Sequence, residues 1–291
     1  MKISTALDHG VHNGLTYVEC ANVMKNAGFE GIDLAMCNFQ DRPEKLITDE
    51  WTDDVLSQAN AAKNAGLEIA QCHLPYYPSH LENPGSGTVR EYIDFIVPMY
   101  EHAINAAERI GVCVCVAHPI CYLDSRQKTV DANIEVFQKI EPRMRNSGMK
   151  LAIENCFARR NGQYQTAFIE QKETIGEIID NLASPCVGAC IDTGHANIFR
   201  YDISDMARFF GSRLFALHVN SNAGHDEHAI PYSISGWCER MDFVTFTQTL
   251  REIGFTGWYN LEINGGRFPK EVASHFYGYA AGVARYLADI Q

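Results

Sequence analysis

The sequence predicts a (β/α)8 TIM barrel. Three observations lead there. Short apolar runs alternate with longer helical patterns eight times, the alternation fills the whole chain, and six successive apolar runs end in a His, Asp or Glu. Strand–helix alternation favours parallel strands joined by right-handed crossovers. Eight units favour a closed barrel over an open doubly wound sheet. An open sheet would want a glycine-rich phosphate turn after its first strand, and LDHGVHNG is not one. The 291 residues suit one barrel domain over 1–291, with no linker and no low-complexity segment.

The elements follow in order. Lys2–Asp8 is a first strand. Thr16–Ala27 is a helix ending at Gly28, where glycine accepts the left-handed cap conformation. Gly31–Met36 is the second strand, Thr52–Ala65 a helix closed by Gly66, and Leu67–Leu74 the third strand. Thr88–Ile110 is a long helix ended by Gly111, with Pro98 expected to kink or break it. Val112–Ala117, rich in valine, is the fourth strand. Ser125–Asn146 is a helix capped by Ser125 or Asp124, shortened by Pro142 and closed by Gly148. Lys150–Glu154 is the fifth strand, Lys172–Leu182 a helix, Val187–Asp192 the sixth strand and Ser204–Phe210 a short helix. Leu214–His218 is the seventh strand, Asp242–Ile253 a helix stopped by Gly254, Trp258–Ile263 the eighth strand and Pro269–Asp289 the closing helix.

Asp plus Glu number 36 against 24 Lys plus Arg, a formal charge of −12. A phosphate backbone repels such a chain unless a local basic patch offsets it, and no run of Lys or Arg is present. Nucleic acid is therefore a disfavoured partner, whereas metal cations suit this balance. The ten cysteines lie mostly inside apolar runs and form no C-x-x-C. Cys113-Val-Cys115 is expected to point two side chains to one face of a strand. The N-terminus, MKISTALDHG, has no signal-peptide pattern, and no apolar run approaches the roughly 18 residues of a spanning helix. The expectation is a cytoplasmic enzyme with buried free thiols and no membrane partner. Nothing in the sequence points to an oligomeric state.

In a barrel of this type the chemistry sits at the C-terminal ends of the strands. From the third strand to the eighth those ends carry His73, His118, Glu154, Asp192 with His195, His218 and Glu262. A carboxylate closing Leu-Ala-Ile, as Glu154 does, is expensive to bury unless it is paired or on a metal. In ACIDTGH a tight Thr-Gly turn lets Asp192 and His195 face one site; the ordinary alternative is an Asp that caps the next helix. Glu262 has apolar neighbours on both sides, and its ordinary role would be a structural ion pair. Lone histidines in apolar strands are more often satisfied core residues, which applies to His73, His118 and His218. Asp226 and His228 lie in the loop of LFALHVNSNAGHDEHAIP, where a solvated charge is the default. His9, His12, His80, His102, His225 and His275 are read as surface or core residues. Tyr76 and Tyr77, after His73, are placed to wall the site, with plain aromatic packing as the alternative. Taken jointly, this mixed O and N set suits Mn²⁺, Co²⁺, Mg²⁺ or Zn²⁺, with substrate oxygens filling open positions. Two glutamates on opposite sides of a bound polyol could move a proton between adjacent carbons.

LAIEN, CIDTGHANI, FALHVNSNAGHDEHAIP and YNLEIN, together with the eight-unit layout, resemble the xylose isomerase-like barrel superfamily in its sugar phosphate isomerase/epimerase branch. The resemblance implies that Glu154, Asp192, His218 and Glu262 are metal ligands. It implies that Glu154 and Glu262 double as the catalytic acid–base pair of a ketose 3-epimerase or aldose–ketose isomerase acting on a small carbohydrate. His195 would contact substrate hydroxyls, and His73, His118 and Tyr76 join it as substrate-binding candidates. A cyclitol dehydratase is close in chemistry, because it uses the same proton abstraction.

The same superfamily contains endonuclease IV, a trinuclear-zinc phosphodiesterase acting on abasic DNA. Its ligand pattern also finds candidates here: His73, His118, Glu154, Asp192, His195, His218, Asp226, His228 and Glu262. Against it stand the acidic balance and the lack of a basic loop after a strand, Arg159-Arg160 being the nearest thing to one. A third reading is a barrel that binds sugar or metal without catalysis; the complete ligand set argues against it. One departure from the isomerase pattern concerns the His loop, which members often follow with a Pro-Gly-x-Gly turn. This chain has PYSISGWCERMDF, so Trp237 and Arg240 are expected to shape the pocket. Asp226 and His228 stand as additional metal ligands or a loop anchor.

Overall fold

The computed structural model describes residues 1–7, 14–37, 43–76, 89–234 and 241–291. Eight parallel strands make the sheet: β1 (Ile3–Ala6), β2 (Gly31–Ala35), β3 (Glu68–His73), β4 (Val114–Ala117), β5 (Lys150–Glu154), β8 (Val187–Asp192), β9 (Leu214–His218) and β10 (Tyr259–Leu261). They are ordered β10-β1-β2-β3-β4-β5-β8-β9. The ring closes just past β9. Val219 bridges Leu261 in parallel, its N–H donating to Asn260 O at 2.8 Å while its carbonyl accepts from Glu262 N at 3.1 Å. This is a near-closed (β/α)8 barrel, as the alternation predicts. Between β5 and β8 sits an antiparallel hairpin, β6 (Ala158–Arg160) with β7 (Gln163–Gln165), that the sequence reading did not foresee.

The surrounding helices are α1 (Tyr17–Ala27), α2 (Asp49–Asn64), α3 (Val89–Ile110), α4 (Arg126–Ser147), α5 (Lys172–Leu182), α6 (Thr193–Ile198), α7 (Ile203–Phe210), α8 (Phe243–Glu252) and α9 (Ala273–Asp289). α1 opens with a capping box, in which Thr16 accepts from Glu19 N while the Glu19 carboxylate accepts from Thr16 N. α2 begins three residues before the expected Thr52, because Thr48 caps it by accepting from Trp51 N. The prolines do not interrupt their helices. α4 runs through Pro142 with Phe137, Ile140 and Met144 buried around it, and α3 runs through Pro98 with Ile96, Met99 and Tyr100 buried. Packing of an apolar face outweighs one missing backbone hydrogen bond in each case.

Side chains alternate across each strand. Leu151 and Ile153 of β5 join the large cluster shared with the helices, while Ala152 faces the barrel interior with Val116, Cys190 and Ala216. Glu154, His118, Asp192 and His218 each lie two residues beyond one of these four, so they inherit the inward face. The nine described cysteines are free thiols. Cys113 precedes β4 and is exposed whereas Cys115 is buried, so the pair does not share one strand face as expected. Among the described residues no helix is long and apolar enough to cross a membrane.

Candidate metal centre at the strand ends

Six barrel strands deliver their terminal side chains to one place. The His218 Nδ1 atom lies 3.2 Å from Glu154 Oε1 and 3.3 Å from Glu262 Oε2. One ligand atom from each of Glu154, Asp192, His218 and Glu262 fits within a common 4.8 Å. Glu154, Asp192 and His218 are almost wholly buried. Glu154 Oε2, His218 Nδ1 and Glu262 Oε2 are buried without a hydrogen-bond partner. Buried lone pairs that converge with no donor to satisfy them fit a divalent cation, which accepts all of them at once.

The remaining candidates gather around this tetrad. The Nε2 atoms of His73 and His118 are 3.0 Å apart and lie 3.4 and 3.2 Å from Glu154 Oε2. On the other side, Asp226 Oδ1 lies 2.9 Å from His228 Nε2 and 3.8 Å from His195 Nε2. Each trio, His73–Glu154–His218 and His195–Asp226–His228, also brings its ligand atoms within 4.8 Å. Cys156, which the sequence reading passed over, does so with His118 and Glu154. Tyr76 packs its ring 4.2 Å from that of His118 and walls the site on this side. Trp237, Arg240 and Tyr77 lie outside the described residues.

Backbone carbonyls fix the imidazoles. His73 Nδ1 meets Leu74 O at 2.8 Å, His195 Nδ1 meets Asn155 O at 2.9 Å and His228 Nδ1 meets Glu262 O at 3.1 Å. A carbonyl only accepts, so Nδ1 carries a proton in each, and Nε2 is the nitrogen turned to the cluster, able to ligate a cation once it has given up its own proton. His218 is held the other way round: Asp33 Oδ2 lies 3.2 Å from its Nε2, leaving Nδ1 for the carboxylates. Asp33, on β2, also accepts from Gln71 Nε2 at 2.8 Å and Asn260 Nδ2 at 3.0 Å, and Ser4 Oγ donates to Asn260 Oδ1. Ser4, Asp33, Gln71 and Asn260 form a buried polar layer in one half of the barrel, opposite the apolar Val116, Ala152, Cys190 and Ala216.

Asp192 does both of the things considered for it. Its Oδ1 accepts from His195 N at 2.7 Å and caps α6, so the Thr-Gly turn is a first helical turn. Its Oδ2 accepts from Asn220 Nδ2 at 2.9 Å, and Asn155, just past β5, fastens its backbone. Gly194 is needed there, since a Cβ at that position would stand 1.9 Å from Asn220 Oδ1. The loop after β9 folds back through paired Ser221–Ala229 backbone hydrogen bonds. His228 adopts a left-handed φ of 49°, a conformation that non-glycine residues hold only where the surroundings impose it.

The charges pull one another apart. Burial pushes the Glu262 carboxyl up to about 7, with Glu154 and Asp192 adding to the rise against His218 and His228. Burial would also raise Glu154, but His218 and His118 hold it well below the usual carboxylate range. Burial drives His118 down to about 4. Burial opposes protonation of His228 too, yet Glu262 and Asp226 lift it to about 9.

The profile of the xylose isomerase-like TIM barrel family matches residues 21–278. The chain belongs to this family. Several solved structures are similar to this xylose isomerase-like barrel. D-psicose 3-epimerase from Clostridium cellulolyticum H10, solved with D-tagatose, has 16% identity over 99% of both chains and a TM-score of 0.71. The IOLI protein, solved with a bound zinc atom, has 15% identity over 99% of this chain and 98% of that one, also at TM-score 0.71. The 3-keto-D-glucoside 4-epimerase of E. coli has 15% identity over 99% and 98%, at TM-score 0.66. At these identities the likeness establishes the fold and no more. A search of curated proteins finds no match.

Proposed function

We propose that this barrel is a divalent-metal-dependent epimerase or isomerase of a sugar, sugar phosphate or related polyol. The observation that carries the reading is the tetrad of Glu154, Asp192, His218 and Glu262, whose ligand atoms converge at the strand ends. The names of the similar structures, sugar epimerases among them, and the zinc in the IOLI protein support it.

Glu154, Asp192, His218 and Glu262 would hold the ion. A bound divalent cation supplies the positive charge that polarises a substrate carbonyl and its neighbouring hydroxyl. The protein's own groups do the rest. Glu154 and Glu262 stand on β5 and just past β10, which flank β8 and β9 in the ring, so they reach a substrate from two sides. One carboxylate takes a proton from a substrate carbon while the other returns one to the opposite face or the adjacent carbon. His195, with Nδ1 fixed by Asn155 O, turns its Nε2 to the substrate hydroxyls. Tyr76 walls the side of His118 and keeps water from the reacting carbons. The test is exchange of carbon-bound protons with deuterated solvent across a panel of ketoses, ketose phosphates and inososes. Glu154→Gln and Glu262→Gln should each lower it by about 10²–10⁴-fold. No exchange with any compound by the metal-loaded protein sinks the reading.

The grouping of ligand atoms favours one second reading. His73, His118 and Glu154 on one side and His195, Asp226 and His228 on the other would accommodate further ions, as a multinuclear phosphodiesterase acting on abasic DNA requires. The net charge of −12 weighs against it. Elemental analysis giving one metal per chain excludes this reading, as does an abasic duplex left intact.

A further inference from the structure

The β6–β7 hairpin leans over the Asp226 side of the centre, and the mechanism above gives it no task. Its Arg159 guanidinium lies 5.8 Å from the Phe157 ring centroid and 4.9 Å from that of Tyr164, and its Nη2 donates to Tyr164 Oη at 2.8 Å. The same Tyr164 oxygen accepts from the backbone N of Asp226 at 2.7 Å. Phe157 sets its ring edge-on to His195, with centroids 4.9 Å apart. The hairpin is thus tied at two points to the His195–Asp226–His228 group.

Donors and acceptors do not balance here. Arg159 Nε is buried and has no hydrogen-bond partner. The Tyr164 oxygen accepts twice, so its own O–H is a further donor with no acceptor among the described residues. Elsewhere guanidinium groups meet carboxylates: Arg126 meets Glu177, Arg145 meets Glu141, Arg213 meets Asp180 and Arg285 meets Glu30. Arg159 forms no such close ion pair among the described residues, and the Asp226 carboxylate is its electrostatic neighbour at longer range. A prop for Tyr164 would need one N–H and would not bury a second without an acceptor. Two unspent donors, one of them on a guanidinium set against two rings, match an anionic oxygen group, and the neighbouring Asp226 carboxylate offsets the guanidinium charge without bonding to it.

We propose that Arg159 and Tyr164 form an anion subsite that takes a phosphate or carboxylate group of a carbohydrate derivative. The inference rests on the sugar-transforming reading of the same centre and narrows its substrate class. In a chain of charge −12 anions are repelled at long range, so recognition of one needs a local cation of this kind. Phe157 and Tyr164 exclude water from the guanidinium and strengthen its hydrogen bonds.

The test is calorimetric titration of the metal-loaded full-length protein with D-fructose, D-fructose 6-phosphate, D-fructuronate and inorganic phosphate. The wild type should bind the phosphate ester or the uronate at least about tenfold more tightly than D-fructose. The two anionic arms tell which group the subsite takes. Arg159→Met keeps an apolar stem against the rings and should bring that ratio below about twofold. Arg159→Lys keeps charge but loses the planar fork, and should lower the ratio several-fold. This second variant carries the test if the first does not fold. Equal binding of neutral and anionic sugars by the wild type overturns the proposal, as does the absence of any anion binding. A preference that survives both substitutions also overturns it, because the metal would then hold the anion. Solvent exchange is scored separately. A binding preference without exchange sinks the enzymatic reading, and exchange without a preference sinks the anion subsite alone.

Discussion

Asp33 Oδ2 lies 3.2 Å from His218 Nε2, and both side chains are buried. A carboxylate at Nε2 keeps the imidazole proton on that nitrogen and leaves Nδ1 free for a cation. Asp33→Asn should therefore weaken metal binding by about 10–100-fold while the barrel still folds. Metal titration of the two proteins checks this, and equal affinities would refute the positioning role.

Gly194 makes a sharper case. An added Cβ meets Asn220 Oδ1, and Asn220 is the residue that orients Asp192. Gly194→Ala should destabilise the fold by about 1–3 kcal/mol and loosen the metal as well. Gly278 in α9 is the contrast: it is exposed, and a Cβ there meets nothing within 4 Å. Gly278→Ala should raise stability by about 0.5–1 kcal/mol. Denaturant melts of both variants suffice, and the same sign for the two would contradict the packing argument.

Removing the metal should lower thermal stability. An ion present at about 1,000 times its Kd stabilises the native state by about 4 kcal/mol. Chelator should shift the melting curve down and re-added Zn²⁺ or Mn²⁺ should restore it. The Glu154→Gln/Glu262→Gln double variant should show little of this dependence.

Glu170 provides a pH prediction away from the centre. It is fully buried, with Oε2 accepting from Ala167 N at 3.0 Å, and burial raises its carboxyl above the ordinary 4.5 despite that bond. Folding therefore favours the protonated form, and the stability it contributes below 4.5 is lost as pH rises through the folded value. Glu170→Gln should melt higher than the wild type at neutral pH, with the gap closing on acidification. A gap that stays constant with pH would show that ionisation of Glu170 is not the cause.

Much of the centre was legible because a barrel strand alternates its side chains and ends at the site. Once β5 runs through Leu151 and Ile153 on the helix side, Glu154 has to face inward, and the same period places His118, Asp192 and His218. Asp33, an acid inside the apolar strand GIDLA, was not singled out from sequence, and only its pairing across the barrel to His218 gives it a meaning. Asn155, Asn220 and Gln71 gave no signal, because amides that satisfy buried groups have no fixed spacing in sequence. Pro142 misled for a related reason, as did the expectation of a break at Pro98: a local rule gave way to burial of neighbours distant in sequence. The β6–β7 hairpin did carry a signal, which the sequence reading passed over: Asn161-Gly162 is the dipeptide of a tight hairpin turn, and both residues have positive φ here.

The seam between β9 and β10 is held by only a short bridge around Val219, and it lies between His218 and Glu262. A cation gripped by both side chains would act as a rivet across the thinnest main-chain joint among the described strands. Amide hydrogen exchange at Val219 and Glu262 should then slow on metal loading more than at Cys115 or Leu151, which sit in fully paired strands. Occupancy of the centre and cohesion of the barrel would then be a single equilibrium, in which loss of the ion loosens the ring.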